Sequence, residues 1–444
     1  MYKKTIILLF SMITAFILDV HAISLEQSTD LARKHNKLIQ GNQNLIYAAQ
    51  WQKKNAFSQF LPKVTFNETW LRLDKETVII PAIPLLGINE PVTQPKDNYT
   101  TEISISQPLF ASGKLYLNYK IADLSLKQTN NQYRLKEKEL DWETAKLYFQ
   151  ILKLMDIREI SQKTAEAYLS WYEKAQIKHK NGSGLLTEVL QWKVKYETAL
   201  ADLGSLNNSL DILLDTWHQH LGQTGISDQL LPEKINLDQK ISQAKQLSEM
   251  KDEQRISELN AFLSDFKQKN LNKQNLSLMK EMLDYQVKFS KTEFLPTLAL
   301  NFSYQFENDD KLNFKDSENW KLMALFSVPL FNSGGNYSQY KVQYYQSKQQ
   351  ADEIDNMAEM LEIGAKKTYL DIFDLALKIK SNTVNLELAT ENQKQVSQLF
   401  NQGMLTYNDM MDAEIMFQSV NLSFYSDIYD FLIKEYEVKL YRED

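Results

Sequence analysis

The sequence predicts a mainly α chain with a small β part, built as two tandem copies of a long-helix hairpin that each carry two strands. First, Gln107-Pro108-Leu109-Phe110-Ala111-Ser112-Gly113 returns as Val328-Pro329-Leu330-Phe331-Asn332-Ser333-Gly334, so Pro329 and Gly334 follow Pro108 and Gly113 by 221 positions each. A strand-to-helix junction written twice marks an internal repeat. Second, Leu115 to about Lys180 contains neither proline nor glycine. At ~1.5 Å per residue such a helix extends roughly 100 Å, which few globular domains can house. Third, runs of alternating apolar and polar residues precede both junctions, the period of a strand.

Residues 1–22 read as a secretory signal: Lys3 and Lys4 begin it, Thr5 to Leu18 is its apolar run, and Val20-His21-Ala22 is its cleavage site. That run is short for a membrane span, and no later stretch is long and apolar enough for one. The mature chain, from about Ile23, is therefore expected to be exported. Any passage through a bilayer must use strands of a closed barrel.

The first repeat is expected over 23–221. Leu25 to Phe60 reads as a helix, with Ser24 as cap and Leu31, Leu38, Leu45, Ala49 and Phe57 as its apolar stripe. Phe60-Leu61-Pro62 stops it, because the residue before proline resists helical geometry. Strands are expected at about 64–73 and 99–109, around a loop from Asp74 to Asn98 that holds Pro81, Pro84, Pro91 and Pro95. The long helix follows over 115–180, then an Asn181-Gly182-Ser183-Gly184 turn and a return helix over 185–214. Gly222, Gly225 and Pro232 mark a connector, 222–236.

The second repeat is expected over 237–444. Helical sequence runs to Glu293 and stops at Phe294-Leu295-Pro296, which follows Phe60-Leu61-Pro62 by 234 positions. The two offsets differ by 13 residues, which belong to the first copy's proline-rich loop. Loop tips tolerate such insertions. Strands are expected at about 297–306 and 320–330, a long helix over 335–401, a turn at Gly403 and a return helix over 406–440.

Strands of about ten residues, at ~3.3 Å each and tilted by about 45°, cover roughly 23 Å, enough for a bilayer core. Val64, Phe66 and Trp70 share one face, and Thr65, Asn67 and Thr69 the other, as in a barrel wall. Four strands are too few to enclose a useful pore, so several chains would share one barrel. Trp70, Tyr99, Tyr304 and Trp320 stand near strand ends or edges, where an aromatic girdle anchors a barrel.

Composition removes several classes. The chain has no cysteine, which excludes disulfides, thiolate metal sites, a cysteine nucleophile and a lipid-bearing cysteine. A net charge of −7 argues against nucleic acid as main partner. His218 and His220 read as a solvated loop pair, and Glu137 and Glu139 as a solvated helix face. Gly182-Ser183-Gly184 and Ser333-Gly334-Gly335 lack the full glycine pattern and lysine of a phosphate loop and read as turns. No nucleophile, base and orienting group can be assembled, so catalysis and a cofactor are not expected.

Leu25 to Asn36, Phe60-Leu61-Pro62, the two Pro-Leu-Phe junctions and the Gly182 and Gly403 turns together resemble the TolC-like outer-membrane efflux proteins. The resemblance covers nearly the whole mature chain. It implies a homotrimer in which each chain gives four strands to a twelve-stranded barrel in outer-membrane lipid. The long helices continue that barrel into the periplasm as an α-barrel. It also implies a passive exit duct, docked through the Gly182, Gly184 and Gly403 turns on a periplasmic adaptor joined to an inner-membrane pump. Acidic rings narrow the periplasmic end in that family. The matching residues here are Asp409 and Asp412, six and nine positions after Gly403, and the first copy carries Glu188 and Gln191 instead. Rings of carboxylates favour cations, and their crowding should raise their pKa and attract divalent ions. The family's closed end can use a tyrosine and an arginine where this chain has Phe400 and Leu405. Trp192 stands opposite Ala413 in the repeat and is large for a tight helix contact. The rival reading is an exported coiled-coil scaffold or adhesin that uses the helices as spacers.

Overall fold

A computed structural model describes residues 22–222, 230–308 and 318–442. The expected leader therefore lies outside the described residues except for Ala22, as does 223–229 of the expected connector. In chain order the elements are β1 (Ala22–Ile23), α1 (Leu25–His35), α2 (Lys37–Ser58), β2 (Lys63–Arg72), β3 (Thr77–Ile80), β4 (Val92–Gln94), β5 (Asp97–Phe110), α3 (Lys114–Lys180) and α4 (Leu186–His220). They continue with β6 (Leu231–Pro232), α5 (Leu237–Ser248), α6 (Asp252–Lys269), α7 (Leu271–Lys291), β7 (Thr297–Asn308), β8 (Glu318–Ser327), α8 (Gly335–Asn401) and α9 (Tyr407–Tyr441). Both long helices, α3 and α8, have 67 residues, and both return helices, α4 and α9, have 35.

The helix read from Leu25 to Phe60 is two helices, broken at Asn36, whose backbone is extended at φ −69°, ψ 118°. Its side-chain oxygen accepts from the Leu38 N–H at 2.9 Å and so starts the next helix. Asn270 does the same in the second copy, at φ −62°, ψ 125°, with the Asn272 N–H at 3.0 Å. Asparagine satisfies a helix N-terminus better than it continues a helix. The helical stretch read from Leu237 is thus three helices, the other break falling between Ser248 and Asp252.

The chain forms two compact units. One comprises the described residues of Met1–Gln43, Gln132–Gln274 and Ala358–Asp444. In its main core Trp217, Tyr148, Phe431 and Leu432 are almost wholly buried, and the Tyr148 and Trp217 rings meet edge to face at 6.0 Å. Ala145, Ala244 and Ala376 are fully buried in the same core. Their lack of side-chain bulk lets helices approach closely. A second core joins Phe262, Phe266 and Val438 to Tyr369 and Phe373, with Phe262 stacked on Tyr369 at 4.6 Å. In this unit β1 pairs in parallel with β6, so the segment read as a plain connector contributes a short strand.

The histidines also differ from expectation. His218 and His220 end α4 rather than lying in a solvated loop. His218 Nε2 is 3.2 Å from the Leu230 carbonyl, and His220 Nε2 is 2.8 Å from the Thr144 hydroxyl. That hydroxyl donates to the Leu140 carbonyl at 2.7 Å, so it accepts from His220.

The other unit comprises Asn44–Asn131 and Asn275–Met357 and holds a four-stranded sheet of order β2-β5-β7-β8. Every neighbouring pair in it is antiparallel, and β5–β7 joins the hairpin of one repeat to that of the other. The register puts Val64, Ile105, Phe302 and Leu322 in one cross-strand row, and Phe66, Ile103, Tyr304 and Trp320 in the next. On the opposite face Thr65, Ser104, Ser303 and Lys321 align, as do Asn67, Glu102, Gln305 and Asn319. Because side chains alternate, this pairing makes one mainly apolar face, crossed by a Glu68, Thr101, Phe306 and Glu318 row, and one mainly polar face. The outer edges of β2 and β8 pair with no strand among the described residues.

Pro108 sits in β5 opposite Ala299, and the ladder then skips Leu109 so that Phe110 lies opposite Leu298. A proline has no N–H for the ladder, and a bulge accommodates it. In the second copy β8 ends at Ser327, short of the expected 330, because its partner β7 begins at Thr297 just after Pro296. The proline-rich loop is ordered: β3 and β4 pair, Ile83 bridges Ile88, and Gly87 takes a left-handed turn at φ +76°.

Burial lowers the pKa of His220 below its usual 6.5. The unfolded chain therefore binds this proton first. Stability contributed by His220 is fully present above about pH 6.5 and is lost as pH falls from there through the lower folded-state value. Thermal unfolding between pH 8 and 5 is expected to show less acid loss for His220→Gln than for the native chain.

Candidate functional site

The two helical turns are built alike. In the first copy the Ser183 N–H donates to the Lys178 carbonyl at 2.9 Å and the Gly182 N–H to that of His179 at 3.0 Å. In the second, Met404 donates to Leu399 at 3.0 Å and Gly403 to Phe400 at 3.0 Å. This pair of bonds closes a helix when the residue after its cap is left-handed. Gly182 and Gly403 supply that geometry at φ +75° and +77°. Gly184 answers a different need: a Cβ there would come within 3.0 Å of Lys178 Cβ.

The candidate acids begin the return helices. The Asp409 carboxylate accepts from the Thr406 N–H at 2.8 Å and its hydroxyl at 2.6 Å. Glu188, its equivalent, accepts from the Leu185 N–H at 3.3 Å. A carboxylate at this position satisfies free backbone donors and complements the helix dipole. The Thr406 hydroxyl, then its backbone N–H, holds the Asp409 pKa below the usual carboxylate value. Within one chain the shift is thus opposite to the rise expected from crowded carboxylates. Any crowding must come from further copies. Asp412 and Gln191 are exposed, one turn further along their helices. Two residues past Asp412, Glu414 is buried, held by the amides of Gln393 at 3.0 Å and Gln418 at 3.3 Å.

Behind the turns lies a cluster that the sequence reading missed. Trp192, read as too bulky, is buried and stacks on Trp171 at 6.0 Å and 27°. The Trp171 ring meets Phe400 edge to face at 5.4 Å, and Phe400 meets Tyr407 likewise at 4.7 Å. The Lys178 ammonium lies 4.6 Å from the centre of the Phe400 ring and 5.3 Å from that of Tyr407. Aromatic edges and a cation over ring faces attract electrostatically. Lys178 belongs to the first repeat and both rings to the second, so this contact ties the two helical hairpins together. Burial first, and the Glu188 charge second, push the Tyr407 pKa up. The only sequence signal was four aromatics close to the two turns. The strand–helix junctions are alike too: Ser112 and Gly113 are left-handed at φ 52° and 80°, and Ser333 and Gly334 at φ 44° and 78°.

Gly403→Ala is expected to destabilise by about 1–2 kcal/mol, from left-handed strain alone, since open space surrounds its Cβ position. Trp192→Ala should cost about 3–5 kcal/mol through the cavity it leaves. Denaturant unfolding of each variant checks both values.

Residues 29–223 match the family model described as outer membrane efflux protein. Outer membrane protein TolC of Salmonella enteritidis is 20% identical over 381 residues, covering 81% of this chain and 74% of that protein. The fold is similar to a membrane protein from Pseudomonas aeruginosa, at TM-score 0.79 and 12% identity, over 95% of this chain and 90% of that one. It is also similar to the CmeC outer membrane channel of Campylobacter jejuni, at TM-score 0.76 and 14% identity, over 94% and 85% of the chains. The chain thus resembles outer membrane efflux proteins in sequence over residues 29–223, and in fold it is similar to solved outer-membrane channels along nearly its whole length.

Proposed function

We propose that this chain is the outer-membrane exit duct of a tripartite export system, passing cargo from a periplasmic adaptor and inner-membrane pump to the outside. The observation that carries it is the sheet: four antiparallel strands with one mainly apolar face, one mainly polar face and two open edges. Open edges in a bilayer leave backbone groups without partners, and only closure removes them. Four strands are too few to close around a pore, so three copies complete a twelve-stranded barrel, β2 of one chain beside β8 of the next. Its apolar face meets lipid and its polar face lines the duct. Conduction is passive, and the chain catalyses no reaction.

The turns at Gly182, Gly184 and Gly403 are the adaptor-facing tips. Asp409 and Asp412 face the pore as two stacked rings of carboxylates, while Glu188 and Gln191 mark the equivalent place on the first-copy hairpin. Exposed carboxylate rings draw cations and repel anions. The Lys178–Phe400–Tyr407 contact takes the place of an ionic lock, holding the second-copy hairpin against the first. Opening separates those groups. Residues 1–22 are the export signal, and residues 23–221 and 237–444 are the two repeats that supply equal shares of the wall.

The detergent-extracted protein is expected to be a trimer from the outer membrane that conducts in planar bilayers. A soluble monomer without conductance would favour the spacer or adhesin reading instead. Asp409→Asn with Asp412→Asn should lower cation-over-anion permeability and relieve block by divalent ions; unchanged values would remove both residues from the pore. Phe400→Ala with Lys178→Gln should raise open probability, measured on single channels.

A further inference from the structure

We infer that the first turns of α8 form a lipid-headgroup band, a tyrosine and lysine face seated among anionic phospholipid headgroups at the helix side of the sheet. This rests on the outer-membrane reading above. Tyr337, Tyr340 and Tyr344 are spaced to share one face of α8, with Tyr345 beside them. Successive ring centres lie 6.5, 6.2 and 5.3 Å apart. The Lys341 ammonium sits 5.5 Å from the Tyr337 ring centre and 5.8 Å from that of Tyr344. Lys291 of α7 sits 5.4 Å from the Tyr340 ring centre. Neither lysine makes an ion pair among the described residues, whereas nearby Lys114 is paired with Glu293 at 2.6 Å.

The polarity of the chain is graded along this stretch. The apolar row of β8, with Trp320, Leu322 and Phe326 exposed, leads to Leu330 and Phe331, which are 91% and 86% exposed. The tyrosine and lysine turns follow, and then a water-compatible surface of Lys348, Gln349, Asp352, Glu353 and Asn356. Apolar, amphipathic and charged zones in that order match hydrocarbon, headgroup and water. Tyrosine rings favour the headgroup level, and lysine places its charge there while its stem stays on apolar surface. Anionic headgroups attract the unpaired ammonium groups.

The other repeat holds only part of this pattern. The residues 221 positions earlier are Tyr116, Tyr119, Lys120, Asp123 and Leu124. There Asp123 pairs with Lys53 at 2.6 Å and Lys127 at 3.4 Å, and Leu124 is buried. The first copy keeps an exposed Tyr116 with Lys120 at 5.6 Å from its ring centre, but gives the next turn to internal contacts. The second has put Tyr344 and Tyr345 in those places and left both 40% or more exposed. Each chain thus carries one such patch, and a trimer carries three.

The absence of cysteine permits single-site labelling of the full chain. Phe66→Cys, Phe331→Cys, Tyr340→Cys and Asp352→Cys, each spin-labelled in phosphatidylglycerol-containing nanodiscs, are compared for collision with oxygen and with a water-soluble nickel chelate. Oxygen should dominate at 66 and 331, both should reach 340, and nickel should dominate at 352. A label at 340 as open to nickel as that at 352 overturns the band while leaving the barrel intact. Nickel access at 66 as well overturns the outer-membrane reading itself. Separately, the native protein should melt higher in phosphatidylglycerol than in phosphatidylcholine nanodiscs, and Lys291→Gln with Lys341→Gln should abolish that difference. Equal melting of the native protein in both lipids overturns the anionic preference.

Discussion

The structure depends on one unmet requirement, the backbone N–H and C=O groups along the outer edges of β2 and β8. Inside the sheet every strand satisfies its neighbour, and the register aligns apolar with apolar across all four strands. At the two edges the ladder stops. In water such an edge invites aggregation; in lipid it is untenable, because nothing there replaces the lost partners. A chain that exposes an apolar face and two edges together is half of an interface. That is why closure with further copies explains more of the sheet than any packing within one chain.

The repeat supplies this arrangement economically. Each copy folds a β-hairpin, and the β5–β7 pairing fuses the two into one wall segment. The two copies then diverge where their surroundings differ. Pro108 is absorbed in β5 through a bulge, whereas the second copy's strand ends before Pro329. Asp409 and Glu188 share a capping duty, but only the second copy follows its acid with a second one, Asp412, three residues on. One carboxylate of the pair is therefore engaged by its own helix terminus and the other is free to face solvent. The aromatic cluster behind the turns works the other way, using unlike residues from the two copies to make one contact.

Much of the fold was legible because long periodic segments carry redundant signals. The 67-residue helices lack breakers over most of their length, and the alternation in β7 fixes its two faces. Less legible were the breaks at Asn36 and Asn270, where the apolar stripe hardly changes and a single side-chain hydrogen bond decides the backbone. The histidines at 218 and 220 looked solvated because two neighbouring polar residues carry no period. Their half-buried contacts are with Thr144 and Leu230, residues 12 or more positions away in the chain.

The sequence by itself determined the tandem repeat, the strand–helix junctions, the positions of the turn glycines and the acids that follow them. These are local properties: backbone geometry at a glycine, the missing donor of a proline and the period of apolar residues act within a few positions. The tertiary structure decided that Lys178 meets Phe400 and Tyr407, that Trp192 finds Trp171, and that Tyr344 and Tyr345 stay exposed while their first-copy counterparts are ion-paired (Asp123) or buried (Leu124). Those outcomes join residues up to more than two hundred positions apart. Only the packing of one repeat against the other brings such groups within reach, and no local preference encodes that distance.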